Sequence, residues 1–201
     1  MGKSIRQVFS FGTLRQWHWV SSALCLAGML LFSITGITLN HAGKIEARPS
    51  VYTMEESLPE DLLEQLSGST NVMPEAISSW LERRIGKRLD WRATEWSEDE
   101  LYLALPRPGG DGWLSIDRVT GDVLYEVTDR GWIAYFNDLH KGRHTGVLWS
   151  WFIDLFAATC VVFSLTGFWL LARQAARQAW TWPLTLAGVL LPLLLMLLFI
   201  H

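Results

Sequence analysis

The 201 residues are half hydrophobic, include twelve tryptophans and carry a formal net charge of −3. That negative balance comes from one central region, so it gives no support for nucleic-acid binding. No nucleophile, zinc motif or nucleotide loop competes for a catalytic role.

The first expected element is an apolar run from Trp17 to Asn40. Two more follow, Val147 to Ala172 and Trp182 to Ile200, the last carrying Pro183 and Pro192. A spanning helix needs about 20 apolar residues to cross a hydrocarbon core of roughly 30 Å, so three crossings are expected. The first run is too long for a signal peptide and lacks a small-residue cleavage site. Trp17, Trp19, Trp149, Trp151, Trp180 and Trp182 stand at the ends of the runs, where an aromatic belt belongs. Cys25 and Cys160 fall inside runs and read as small apolar residues.

Lys and Arg near the span ends set the orientation. Lys3, Arg6 and Arg15 precede the first run, and Arg173 and Arg177 lie between the second and third. Every Asp and Glu except Asp154 lies between Glu46 and Asp138. The expected layout is a cytoplasmic tail (1–15), a first span (16–41), a periplasmic domain (42–139), a second span (140–172), a cytoplasmic loop (173–181) and a third span (182–201).

Within the external domain, Pro59 opens a helical pattern over Glu60 to Leu66. Pro74 opens another, with Ile77, Trp80, Leu81 and Ile85 at helical spacing and Gly86 as its stop. The period then changes to two. Strands are expected over Leu89 to Ala93, Leu101 to Leu105, Trp113 to Ile116-Asp117 and Asp122 to Val127, with turns at Pro108 to Gly112 and Thr120-Gly121. The fold class is therefore a membrane α-helical protein: three transmembrane helices, with a small α+β domain between the first and second.

Two histidines close the argument from residues alone. His41 directly follows the first run, and His140 precedes the second. Two spans would thus deliver two imidazoles to one side of the membrane, an arrangement suited to axial ligation of haem between facing helices. Either histidine alone reads equally as a wettable interfacial side chain. His18 lies at the other end of the first run, roughly 34 Å away at about 1.5 Å per residue, so it cannot share a haem with His41. No histidine of this chain stands opposite it, so an inner haem there would need a twin subunit or another partner. His144, one helical turn beyond His140, is a substitute ligand or a surface neighbour, and His201 reads as a solvated end. Asp154 falls inside the second span, where it would accept an axial histidine's N–H or bond to a hydroxyl or arginine. Lys44, Lys141 and Arg143 flank the ligands and either pair with haem propionates or stay solvated. Phe32 to Gly36 and Phe163 to Gly167 repeat the pattern Phe-Ser-(Ile/Leu)-Thr-Gly. Its small residues would let helices approach closely or leave room for a flat macrocycle.

These motifs carry a resemblance. Asp117-Arg118-Val119-Thr120-Gly121-Asp122-Val123 resembles the hairpin of PepSY domains. Arg15-Gln16-Trp17-His18, Thr35-Gly36 with His41, Leu139 to Gly142, Trp149 to Trp151, Asp154 and Thr166-Gly167 resemble the helices of the PepSY-associated transmembrane family. The likeness covers nearly all the chain except the final span. It implies a bacterial inner-membrane protein holding haem b and passing electrons to a periplasmic acceptor, with ferric siderophore foremost. His41, His140 and His18 would hold haem iron. Better-known members are longer, with four or more spans and two haems. Two other readings stay open: a PepSY interaction or regulatory module anchored by its helices, and an electron-transfer subunit that feeds a periplasmic flavoprotein. The electron donor is not specified by the sequence.

Overall fold

A computed structural model describes residues 12–69 and 71–200. Lys3, Arg6 and His201, used above, lie outside the described residues. The chain divides into two compact units, 1–31 with 151–201, and 32–150.

Among the described residues three helices are long and apolar enough to cross a membrane. They are α1 (Leu14–Asn40), α5 (Val147–Gln174, continued by a 3-10 turn over Ala175–Arg177) and α6 (Thr181–Phe199). Pro183 sits in the first turn of α6, where a missing N–H costs little. In the first unit α1 and α5 touch where a Cβ on Gly28 would overlap the Phe156 ring. A small residue there lets the two backbones close up. No residue of α6 is buried.

The second unit holds a five-stranded antiparallel sheet in the order β1-β5-β4-β3-β2. Its strands are β1 (Ser50–Ser57), β2 (Glu95–Trp96), β3 (Glu100–Ala104), β4 (Gly110–Asp117) and β5 (Asp122–Asp129). Alternation puts Leu101 and Leu103, Leu114 and Ile116, and Val123 and Tyr125 on one face. Against them pack α2 (Glu60–Ser67) through Leu62 and Leu66, and α3 (Glu75–Ile85) through Ile77 and Leu81. Burial pushes the Tyr125 phenol above its usual range. The expected helices and turns recur almost as read, with Gly86 left-handed at φ 73° ending α3.

The β4–β5 turn is tied by Asp117, whose carboxylate accepts the backbone N–H groups of Val119 and Thr120, each at 2.8 Å. Those bonds hold its carboxyl below the usual carboxylate range.

Three expectations are corrected. Leu89 to Ala93 is no strand: Asp90 caps a single 3-10 turn over Trp91–Ala93 by accepting the Arg92 N–H. The first strand, β1, precedes both small helices and pairs with β5 at the sheet edge. Finally, the second span does not begin at His140. That residue belongs to a separate helix, α4 (Gly131–Lys141), which Gly142 ends in a left-handed conformation at φ 66°; α5 starts only at Val147.

Candidate functional site

Helix α4 is bolted on two sides by adjacent buried residues. Asp138 Oδ2 accepts the Gly109 N–H at 2.9 Å and lies 3.6 Å from Arg130 Nη2, which joins α4 to the turn before β4. Asn137 Oδ1 accepts the Thr38 hydroxyl at 2.6 Å, which joins α4 to α1. His140, one turn on, then lies against α1 over Phe32, Thr35 and Gly36. Sequence reasoning passed over Asn137 and Asp138. A polar pair in an otherwise aromatic stretch was the signal available.

Thr35 Oγ1 is 2.6 Å from His140 Nδ1 and hydrogen-bonds the Phe32 carbonyl at 3.2 Å. The contact with Nδ1 is the shorter of the two, its donor being the hydroxyl or the ring according to the tautomer; either way Nδ1 is the nitrogen engaged with Thr35 and Nε2 takes no part in this bond. The Phe32 ring stands 4.8 Å from the imidazole, tilted by 51°.

The first unit repeats the device. His18 Nδ1 is 3.0 Å from Thr166 Oγ1, whose proton goes back to the carbonyls of Val162 and Phe163 at 2.7 and 3.0 Å. Phe163 stacks on the ring, with centroids 4.8 Å apart and planes 15° apart. The Phe-Ser-x-Thr-Gly repeat is thus a histidine seat used twice. On α1 it receives His140, and on α5 it receives His18.

The glycine of each seat makes room to different degrees. A Cβ on Gly167 would come 3.0 Å from His18 Cε1, whereas one on Gly36 would meet His140 Cε1 at 3.8 Å, an ordinary contact. Replacing helical glycine by alanine gains up to about 1 kcal/mol of propensity, against about 1–3 kcal/mol lost where the site is overpacked. Gly36→Ala should therefore leave thermal stability in detergent unchanged or slightly raised. Gly167→Ala should lower it and shift the His18 ring resonances, and equal midpoints for the two variants would contradict the seat geometry.

His41 follows the last turn of α1, exposed, with Nδ1 3.0 Å from the Ile37 carbonyl. A carbonyl only accepts, so Nδ1 carries a proton here and Nε2 takes no part in this bond. It stands about 7–8 Å beyond Gly36 along the helix axis at 1.5 Å per residue. His144 is not a turn beyond His140 on one helix. It sits in the connecting loop with a left-handed φ of 56°, exposed, and its Nε2 accepts from Arg143 Nε at 3.2 Å. Lys44, Lys141 and Arg143 are exposed. Asp154 is exposed on α5; Nδ1 of His18 and of His140 meets a threonine hydroxyl, and Nδ1 of His41 meets the Ile37 carbonyl.

Beside the start of α4 lies a cavity of about 470 Å³ walled by Gly109, Trp132 and Tyr135, with the Arg107–Asp129 ion pair at its edge. Among the described residues no three His, Cys, Asp or Glu side chains gather to hold a metal ion.

A family model described as "Putative PepSY_TM-like" matches residues 9–201. No curated protein and no solved structure matches the chain.

Proposed function

Because the chain belongs to the PepSY_TM-like family, we propose that it is a bacterial inner-membrane electron-transfer protein holding haem b through His41 and His140. Its N-terminus is cytoplasmic, its sheet domain periplasmic, and its acceptor a ferric siderophore. The observation that carries this reading is how the rings are held: His41 and His140 each place Nδ1 against an oxygen of α1, which makes Nε2 the nitrogen for a metal to take. Axial histidines on iron are arranged in that way, with the second nitrogen fixing tautomer and ring orientation. A haem brings four nitrogens of its own and asks the protein for one or two imidazoles, so single histidines suit it where a bare ion would want a cluster. The donor set therefore fits the group.

Bound there, haem would supply one-electron chemistry. The chain's own part is to fix the two imidazoles, keep their tautomers and present Lys44, Lys141 and Arg143 to propionate carboxylates. Siderophores hold Fe(III) far better than Fe(II), so reduction releases the metal. His18, seated in the same way, is the candidate ligand for an inner haem, completed by a second copy of the chain or by another partner.

Purified protein should be red, and a pyridine haemochrome assay gives the haem per chain. The dithionite-reduced protein should be reoxidised on mixing with ferric siderophore. Reoxidation by a flavoprotein but not by the siderophore would move the chain to the subunit reading, and a colourless, folded preparation to the anchored-module reading.

A further inference from the structure

We infer that α4 is an interfacial helix whose exposed aromatic face lies among the phospholipid headgroups and upper acyl chains beside α1. Two hydrogen bonds set its depth. Thr38 meets Asn137 and Thr35 meets His140, both at 2.6 Å, and both threonines lie inside α1 before its end at Asn40. At 1.5 Å per residue, Thr35 is about 7–8 Å inward of that end. Amphipathic helices at a bilayer surface bury their apolar face about 5–10 Å into the headgroup boundary, which is the same depth.

The face itself has the matching chemistry. Trp132 is 75% exposed, Ile133 46%, Phe136 38% and Tyr135 36%. The Trp132 ring contacts both Tyr135 and Phe136, so these side chains form one continuous patch. No charged residue interrupts Gly131 to Asn137. In water such a patch is costly, whereas Trp and Tyr favour the zone where one end of the ring is apolar and the other wet. On α1, Ile34 and Ile37 beside the seat are also exposed, at 61% and 65%, so both helices carry apolar side chains on their free surfaces. This inference rests on α1 as a span and is independent of haem.

Trp132→Cys in a chain lacking Cys25 and Cys160 is labelled with an environment-sensitive fluorophore and reconstituted into phosphatidylcholine–phosphatidylglycerol vesicles. Labels at Val119, on the far turn of the β4–β5 hairpin, and at Leu190, inside α6, serve as references. At position 132 the emission should shift to the blue and be lost mostly to lipids with a nitroxide high on the acyl chain. Leu190 should respond most to a deep nitroxide and Val119 to neither. An emission at 132 matching that at Val119 would overturn the inference. So would self-quenching that rises with protein-to-lipid ratio, since a second copy would then cover the face. An unquenched Leu190 label would sink the span assignment and the inference together. Should Trp132→Cys fail to fold, Phe136→Cys gives the same reading. Haem content, measured on the same samples, tests the functional proposal separately.

Discussion

His140→Ala is expected to remove the haem absorbance almost completely while leaving the chain in the membrane. In the proposed site the side chain supplies one of two imidazoles, and its loss opens a space beside Phe32 and Thr35. The neighbouring His144 cannot move in: Gly142 ends α4 before it, and its own Nε2 is taken by Arg143. His144→Ala should therefore keep the full Soret band. Thr35→Val tests the seat, because it keeps its shape and deletes the oxygen bonded to Nδ1. Loss of an outer partner of this kind costs about 10- to 100-fold in affinity, and the midpoint potential should shift as well. A merely structural threonine would lower stability without moving the potential, and Thr35→Ser should restore both. Added imidazole should return part of the absorbance to His140→Ala by filling the vacated space. Full absorbance in His140→Ala would remove this residue from the ligand set, and the outer site with it.

Much of the fold is legible in the sequence, and the rest is hidden for physical reasons. Pro59, Pro74, Gly86 and the Thr120-Gly121 turn are backbone signals that need no tertiary partner, so those boundaries hold. The central strands alternate because one face is buried. The edge strand β1 is almost wholly exposed over Ser50 to Thr53, and without a buried face the period-two signal vanishes. Helix α4 escaped notice because apolar residues occupy most of its first turns, leaving no polar stripe to set the helical period. The boundary at Gly142 was then misplaced, since Leu-His-Lys-Gly reads as the start of the next apolar run. The site was half legible. The repeat at Phe32 and Phe163 was visible as a pattern, but which histidine each copy holds depends on pairings between residues far apart in sequence, Thr35 with His140 and Thr166 with His18. Asp154 stands out in the sequence for its depth inside the second span, yet depth along a helix says nothing of which way a residue faces, and this one is exposed.

A large loss of stability in the sheet unit should come from Gly109→Ala. Gly109 has a φ of 71°, and a Cβ there would lie 2.6–2.7 Å from the N, Cα and Cβ of Tyr135. Two of those atoms are backbone, so no rotamer change relieves the overlap; α4 must move. Moving it strains the bond from Gly109 N–H to Asp138 and the one from Arg130 N–H to the Gly109 carbonyl, at 2.9 and 2.8 Å. Gly86 is the natural control, because its φ of 73° is nearly the same and open space surrounds it. Gly86→Ala should cost only the left-handed strain, about 1 kcal/mol. Gly109→Ala adds the displacement of a packed helix, for a total of about 2–4 kcal/mol. Denaturant unfolding of the two variants separates the contributions, and hydrogen exchange locates them: amides of α4 should open in Gly109→Ala while those of β3 and β4 stay protected. Because the same helix carries His140, this substitution should also weaken the pigment without touching a ligand. If the two alanine variants unfold together, α4 is not clamped to the turn before β4, and the coupling of sheet to histidine seat that follows from the Asp138 bond fails.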